Sequence, residues 1–235
     1  MSDKKIKKAF ILAAGFGLRL RPLTDSMPKA LVLYKGRPMI ENVIDKLTSY
    51  GIDEIYINTH HLAEKMNEYF SQRTGMGNIT LIHESQILGT GGAIMNASRN
   101  LSDADDILIY NTDVDCNLDI GNFFEFHLKN RGIATLCVQR RATSRYLLCS
   151  SSGKLEGRTE NGENIIYTLH KGEILERAFC GIHIINKRIF DVLGQNDQNF
   201  EIIPAYMNII KNNENIYTYD ITEIYWKDLG IPQNL

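Results

Sequence analysis

The residues best suited to chemistry in this 235-residue chain gather near its N-terminus, in Leu12-Ala13-Ala14-Gly15-Phe16-Gly17-Leu18-Arg19-Leu20-Arg21-Pro22, with Lys29 following. Two glycines and two alanines let backbone N–H groups approach an anion closely, and Arg19, Arg21 and Lys29 supply positive charge. The run therefore reads as a phosphate site. It is not a dinucleotide fingerprint, because Leu20 stands where a third glycine belongs and Pro22 and Pro28 oppose an immediate helix. A Walker A string, G-x-x-x-x-G-K-S/T, does not occur. What remains is a longer loop, Gly15 to Lys29, that bends at Pro22 and returns Lys29 towards the glycines.

The elements that must position this loop alternate in type. Lys8 to Ala14 reads as a buried strand. Pro38 opens a helix whose apolar residues Met39, Ile40, Val43, Ile44, Leu47 and Tyr50 share one face, and Gly51 ends it. A strand at Glu54 to Asn58, a helix at Leu62 to Phe70, a strand at Ile79 to His83, a helix starting at Gly92 and a strand at Ile107 to Asn111 follow. Such alternation predicts an α/β fold: a Rossmann-like, mixed, mostly parallel sheet with helices on both faces. Ligands of such sheets bind at the C-terminal ends of the strands, where the glycine loop leaves the first strand. Asp113 lies just past the strand ending at Asn111, on the same edge, which favours a metal-binding carboxylate over a turn residue. Asp119 reads as a helix N-cap. A second glycine cluster, Gly89-Thr90-Gly91-Gly92, also follows a strand, with Glu84 and Gln86 just upstream.

Beyond a helix at Gly121 to Asn130 the pattern becomes β-rich: Ile133 to Gln139, Arg145 to Ser150, Ile165 to Leu169 and Ala178 to Ile185, broken by Ser151-Ser152-Gly153 and Asn161-Gly162. Hairpins are expected there. Helices at Lys187 to Leu193 and Glu201 to Asn212 precede a last strand near Ile216 to Ile221. No repeat or linker separates the halves. Residues 1–235 are read as a single domain of two sub-lobes, 1–120 carrying the glycine loop and 121–235 packing on the sheet as a β-rich substrate lobe.

Composition narrows the class. Lys and Arg total 26 against 28 Asp and Glu, a net charge of -2, so the chain lacks the cationic field of a nucleic-acid binder. The apolar run Ala9 to Ala14 is too short for a signal peptide, and no stretch approaches the ~20 apolar residues of a membrane span. Cys116, Cys137, Cys149 and Cys180 are widely spaced, three of them inside apolar runs. Buried reduced thiols and a cytoplasmic location are expected. Of the histidines, His60 and His61 read as loop residues, and His83 and His183 as satisfied structural residues. Phe123, Phe124, Phe126 and Leu128 read as core or interface rather than as a cofactor box.

The string Ile11-Leu12-Ala13-Ala14-Gly15-x-Gly17-x-Arg19-Leu20-x-Pro22-Leu23-Thr24, then Pro28-Lys29-Ala30-Leu31 and Gly36-Arg37-Pro38-Met39-Ile40, resembles the sugar-1-phosphate nucleotidyltransferase family. The resemblance continues through Leu88-Gly89-Thr90-Gly91-Gly92-Ala93, Asn111-Thr112-Asp113, Phe179-Cys180-Gly181-Ile182 and Trp226-x-Asp228-x-Gly230, and so spans nearly the whole chain. It is similar in particular to short members acting on mannose 1-phosphate, heptose 1-phosphate or N-acetylmuramate 1-phosphate.

That resemblance implies a nucleotide-diphospho-sugar transferase-like fold and attack of a sugar 1-phosphate oxygen on the α-phosphorus of a nucleoside triphosphate. Pyrophosphate leaves and a nucleotide sugar forms. The implied catalytic residues are Arg19, with a forked donor for the β/γ phosphates, Lys29, a point charge beside the α-phosphate, and Asp113. Asp113 and Asp228 are the implied ligands of Mg2+, with Asp115 a fallback. Leu12, Ala13, Ala14, Gly15 and Gly17 line the phosphate cradle, and Glu84, Gly89 and Thr90 lie in the region that contacts the base. Glu84 could accept from guanine, whereas amide and backbone groups could pair with uracil.

Three departures stand out. Thr112 replaces the glycine usual before the metal aspartate, Leu18 fills a slot often polar, and no Glu-Lys-Pro element occurs between Arg140 and Phe179, which leaves Arg141, Arg145 and Lys171 as candidates for the sugar phosphate. No appended acyltransferase or β-helix domain is expected after Gly230. The leading assignment is guanylyl transfer to mannose or heptose 1-phosphate, and the alternative is uridylyl transfer to N-acetylmuramate or a related hexose 1-phosphate. A non-catalytic nucleotide-sugar-binding module is the reading from another class. The expected partners are an NTP and a sugar 1-phosphate, without nucleic acid or membrane, in a monomer or homodimer.

Overall fold

A computed structural model describes residues 4–73, 78–193 and 199–235. The first strand, β1 (Lys8–Leu12), is followed by three single 3-10 turns, at Leu18–Leu20, Leu23–Asp25 and Lys29–Leu31, and a small hairpin of β2 (Leu33–Tyr34) and β3 (Arg37–Pro38). Then come α1 (Met39–Tyr50), β4 (Glu54–Thr59), α2 (Ala63–Ser71), β5 (Asn78–His83), α3 (Gly89–Asn96), α4 (Ser98–Leu101) and β6 (Asp106–Asn111). The second half contains β7 (Val114–Cys116), α5 (Ile120–Asn130), β8 (Ala134–Gln139), β9 (Tyr146–Ser150), β10 (Leu155–Glu160), β11 (Glu163–Ile166) and β12 (Ile174–Asn186). It ends with α6 (Ile189–Val192), α7 (Ile202–Lys211), β13 (Ile216–Asp220) and β14 (Trp226–Asp228).

The expected mixed sheet with helices on both sides is present. Its strands run in the order β11-β10-β9-β12-β6-β1-β4-β5, with β8 paired to β12 and β13. β1 lies parallel between β4 and β6, in the register Ile11 opposite Ile57 and Leu12 opposite Asn111. The chain first builds outward from β1 through β4 and β5, then crosses to β6 on the other flank. That reversal of strand order opens a crevice at the C-terminal ends of β1, β4 and β6. β12 pairs antiparallel with β6, β8 and β9, as do β9, β10 and β11 in turn, whereas β13 runs parallel to β8, and one ten-stranded sheet carries strands from both halves of the chain.

Burial follows the apolar pattern. One core cluster holds Ile11, Ile40, Val43, Ile44, Leu47, Phe123 and Phe124, and a second holds Phe10, Ile94, Ile107, Ile109, Tyr206 and Met207. Successive residues of β1 therefore point to opposite faces, each buried side chain contributing about 1.5–3 kcal/mol. Gly51, at φ 96°, ends α1, and Asp119 caps α5 by accepting the Asn122 N–H at 2.9 Å. Asn161 and Gly162 both take positive φ, as a two-residue hairpin between β10 and β11 requires. All four cysteines are buried and free. Among the described residues no helix is long and apolar enough to cross a membrane.

Several expectations need correction. α3 begins at Gly89, so the second glycine cluster is the first turn of a helix rather than a loop before one. β11 stops at Ile166, and Leu169 is exposed beyond it. His83 is exposed at the end of β5. His183 is fully buried, as expected of a structural residue, but neither ring nitrogen has a hydrogen-bond partner, and burial among Phe179 and Tyr206 holds it neutral, with a pKa of about 3.

Candidate active site

The crevice holds a cavity of about 230 Å³ walled by Leu12, Ala13, Ala14, Gly15, Lys29, Asn58, Glu84, Ile87, Gly89, Thr90, Asn111, Thr112, Asp113 and Glu201. Nine of the residues singled out in the sequence thus share one wall: Leu12, Ala13, Ala14, Gly15, Lys29, Glu84, Gly89, Thr90 and Asp113. Gly17, Arg19 and Asp228 lie outside that wall.

The loop after β1 does fold back. Gly17 sits at φ 65°, and a Cβ there would stand 2.8 Å from the Thr24 methyl and 3.1 Å from the Lys29 Cβ. Thr24 Oγ1 donates to the Gly17 carbonyl at 2.9 Å and pins the turn. Gly17 therefore shapes the loop that presents Lys29, whereas Gly15 has nothing within 4 Å of its would-be Cβ and leaves open space.

At the other side of the cleft, β14 pairs antiparallel with β7, setting Asp228 opposite Val114, and Leu229 N–H donates to the Asp113 carbonyl at 2.7 Å. This two-stranded sheet brings together two carboxylates from far-apart parts of the chain. A Cβ on Gly230 would stand 2.7 Å from Asp113 Oδ2, 2.9 Å from Asp228 Oδ1 and 2.6 Å from Arg19 Nη2. Both acids and the arginine thus converge on one point that only glycine leaves free. Lys29 Nζ is ion-paired with Asp113 Oδ2, and Arg19 Nη1 with Asp228 Oδ2 at 3.1 Å. The Lys29 and Asp113 side chains are largely buried, while Arg19 is 59% exposed at the rim. Among the described residues no three His, Cys, Asp or Glu side chains form a metal cluster. A pair of carboxylates beside substrate oxygens suits a hard cation such as magnesium.

The floor is a chain of buried polar groups. Ala13 N–H donates to Asn58 Oδ1 at 2.6 Å, Asn58 Nδ2 donates to Glu84 Oε1 at 2.7 Å, and Leu88 N–H donates to Glu84 Oε2 at 3.3 Å. His60 Nδ1 lies 2.8 Å from the Glu84 carbonyl. Glu84 is only 2% exposed, and burial raises its carboxyl above the ordinary range despite the hydrogen bonds from Asn58 and Leu88. Because the Ala13 amide is engaged by Asn58, the amides open to an anion begin at Ala14.

The second glycine cluster is filled by protein. Gly91 and Gly92 N–H both donate to the Phe200 carbonyl, at 2.9 and 3.1 Å, and Phe200 N–H donates to the Leu88 carbonyl at 3.0 Å. Thr90 Oγ1 donates to Glu201 Oε2 at 2.6 Å and accepts the Ile202 N–H at 2.9 Å. A Cβ on Gly91 would lie 2.3 Å from the Phe200 ring. Sequence reasoning gave no site role to Glu201, Asn58, Asn111 or Thr112. Asn58 and Asn111 were accessible, since they lie at the C-terminal ends of the strands that flank β1. Nothing local marks Glu201.

Of the sugar-phosphate candidates, Arg141 donates to the Phe179 carbonyl at 2.8 Å and stacks 4.3 Å over the Trp226 ring. Lys171 lines a separate cavity of about 470 Å³ with Ser150, Lys154 and His170. Neither it nor Arg145 walls the main cleft. Asp115, the fallback acid, faces Lys35 and the Tyr225 hydroxyl at 3.4 Å.

The Nucleotidyl transferase family model matches residues 8–235. The chain is 28% identical over 97% of its length to the mannose-1-phosphate guanylyltransferase catalytic subunit beta of Dictyostelium discoideum. It is 27% identical over 96% to a mannose-1-phosphate guanylyltransferase of Mycobacterium tuberculosis. It spans 62% of the length of each of these relatives. The fold is shared with the crystal structure of HddC from Yersinia pseudotuberculosis complexed with GMP-PN, at TM-score 0.77 and 21% identity, covering 97% of this chain and 96% of that one. It is shared also with a putative glucose-1-phosphate thymidylyltransferase from Bacillus anthracis, at TM-score 0.79 and 19% identity, covering 97% and 91%.

Proposed function

The chain belongs to the nucleotidyl transferase family, and from that premise we propose that it transfers a nucleotidyl group from a nucleoside triphosphate to a sugar 1-phosphate, releasing pyrophosphate. The observation that carries this reading is the meeting of Arg19, Asp113 and Asp228 at Gly230, beside Lys29 and an amide-lined loop. Guanylyl transfer to mannose 1-phosphate is the favoured pairing, because the relatives matched along the chain are named for it. Uridylyl transfer to N-acetylmuramate 1-phosphate is the alternative.

In this reading a phosphate oxygen of the sugar attacks the α-phosphorus. One P–O bond forms, the bond to the β-phosphate oxygen breaks, and the electron pair departs with pyrophosphate. The chain's task is to hold two polyanions in line. The amides from Ala14 to Gly17 hold nucleotide oxygens, Arg19 takes the outer phosphates that leave, and Lys29 turns from Asp113 to the α-phosphoryl group, where charge gathers. Asp113 and Asp228 would hold a magnesium ion, which when bound supplies charge neutralisation and Lewis-acid polarisation at the phosphates. Residues 1–120 would serve the nucleotide and 121–235 the sugar phosphate. The carboxylate of Glu201 in the cleft would repel phosphates and so faces uncharged hydroxyls.

A matrix of nucleoside triphosphates against sugar 1-phosphates, with magnesium or with chelator, tests the proposal by pyrophosphate release. The expected result is release with GTP and mannose or heptose 1-phosphate, lost on chelation. Release only with UTP moves the assignment to uridylyl transfer. No release across the matrix, with nucleotide-sugar binding intact, replaces the enzyme by a binding module.

A further inference from the structure

The glutamate on the cleft floor invites a direct role in reading the base, yet its surroundings suggest another. Its two carboxylate oxygens are engaged by protein donors, Asn58 Nδ2 at 2.7 Å and Leu88 N–H at 3.3 Å. Asn58, only 4% exposed, passes the contact on by accepting the Ala13 N–H at 2.6 Å. Three segments meet here: the phosphate-side loop after β1, the end of β4, and the turn between β5 and α3 that leads to Gly89 and Thr90. The Glu84 N–H also donates to the Thr59 carbonyl at 2.8 Å, fixing its own backbone to β4.

We infer that Glu84 is a positioning residue: through Asn58 and Leu88 it sets the spacing between the phosphate-holding loop and the base-side turn, and so governs nucleotide affinity without itself reading the base. The inference rests on the proposed nucleotidyl transfer. Its logic lies in donor and acceptor order. An asparagine between an N–H and a carboxylate must present its oxygen to Ala13 and its amide to Glu84, and Glu84 must accept at both ends. Only a pair of this polarity, or its mirror, leaves no buried group facing its own kind.

The mirror can be made. In Glu84→Gln the new amide group must face either Leu88 N–H or Asn58 Nδ2, donor against donor. In Asn58→Asp two carboxylate oxygens face each other. In the double variant, Asn58→Asp with Glu84→Gln, the aspartate accepts from Ala13 N–H and from the glutamine amide, and the glutamine oxygen accepts from Leu88 N–H. Every buried donor again has an acceptor, with the charge moved to residue 58.

The test measures KM for the nucleotide, KM for the sugar 1-phosphate, and kcat, for the wild type and the three variants, with circular dichroism as a check of folding. Each single variant is expected to raise the nucleotide KM by about ten- to a hundred-fold, the scale of a mismatched buried pair. The sugar-phosphate KM should stay within about twofold, and the double variant should recover most of the loss, the non-additivity expected of touching residues. A double variant no better than Glu84→Gln would overturn the inference, because a base read directly by the carboxylate is not rescued from residue 58. So would single variants with an unchanged nucleotide KM. A wild type that releases no pyrophosphate sinks the proposed function instead, and the same ranking is then read in nucleotide dissociation constants.

Discussion

Two glycine-rich segments follow strands at the same edge of the sheet, and they are used in opposite ways. At Gly15 the backbone faces open space in the cleft, with no atom within 4 Å of a would-be Cβ. At Gly89 and Gly91 the space is taken: a Cβ would meet the Phe200 carbonyl at 2.6 Å or the Phe200 ring at 2.3 Å. The N–H groups of Gly91 and Gly92, which a helix start offers to anions, are spent on that carbonyl, and Glu201 holds Thr90. Glycine marks close backbone approach, but the approaching group can be the protein itself. The first segment stays open to a ligand, a phosphate in the proposed reaction, and the second is a socket for the start of α7.

The largest effects should come from the charges around the first segment. Lys29→Ala removes the cation that faces the α-phosphoryl group in the proposed reaction, and kcat should fall by about 10²–10³-fold, the scale of losing one preorganised donor. Gly230→Ala is the more pointed variant. Its methyl would occupy the point shared by Arg19, Asp113 and Asp228, all of them far ends of side chains that can swing aside. The fold should survive by circular dichroism while magnesium-dependent pyrophosphate release drops by at least about tenfold. Retained turnover in Gly230→Ala would mean that the two carboxylates do not act on one cation.

Stability separates the two segments next. Gly91→Ala drives a methyl into the Phe200 ring, and overpacking of this kind costs about 1–3 kcal/mol, or roughly 3–10 °C in Tm for a chain of this size. Phe200→Ala opens the same space, so the two substitutions together should destabilise by less than their sum. Gly15→Ala, with a φ outside the left-handed region and nothing nearby, should leave the Tm unchanged. Equal thermal shifts at Gly15 and Gly91 would erase the distinction between site and socket.

These differences set what the sequence could reveal. Strand and helix periodicity marked β1, β4, β5, β6, α1 and α5 to within a few residues, because the strands carry apolar runs into the two core clusters on either side of the sheet and each helix packs one apolar face there. The first loop was legible because Pro22 and Pro28 break any helix after the glycines and leave Lys29 in a loop that folds back. The Phe200–Glu201 socket was not, since nothing between Leu193 and Ile202 announces a partner at Gly91, over a hundred positions away. Asp228 was legible only through its resemblance to a known string. What places it is the β7–β14 pairing, two three-residue strands too short for any alternation to show.

The smallest expected effect concerns the carboxylate that anchors the first segment, and its sign is opposite to that of a carboxylate elsewhere in the sheet. Burial raises the Glu84 carboxyl, against the downward pull of its hydrogen bonds from Asn58 and Leu88 and of nearby His60 and His83. Above the ordinary glutamate range the native state therefore holds a proton that the unfolded chain has released, so this group's contribution to stability declines as pH rises through that window. At Asp106 burial also pushes upward, but hydrogen bonds from His127, Asn186 and Lys4 outweigh it and bring the carboxyl down to about 2. Its contribution is complete above the ordinary aspartate value and is lost as pH falls towards 2, an amount of about 2 kcal/mol. Urea unfolding between pH 2.5 and 7 should show Asp106→Asn flattening the acid rise and Glu84→Gln removing a shallower decline above it. If Glu84→Gln instead steepens that decline, the glutamate is ionised more readily in the folded protein than in the unfolded chain, and the floor of the first segment is wetter than its burial implies.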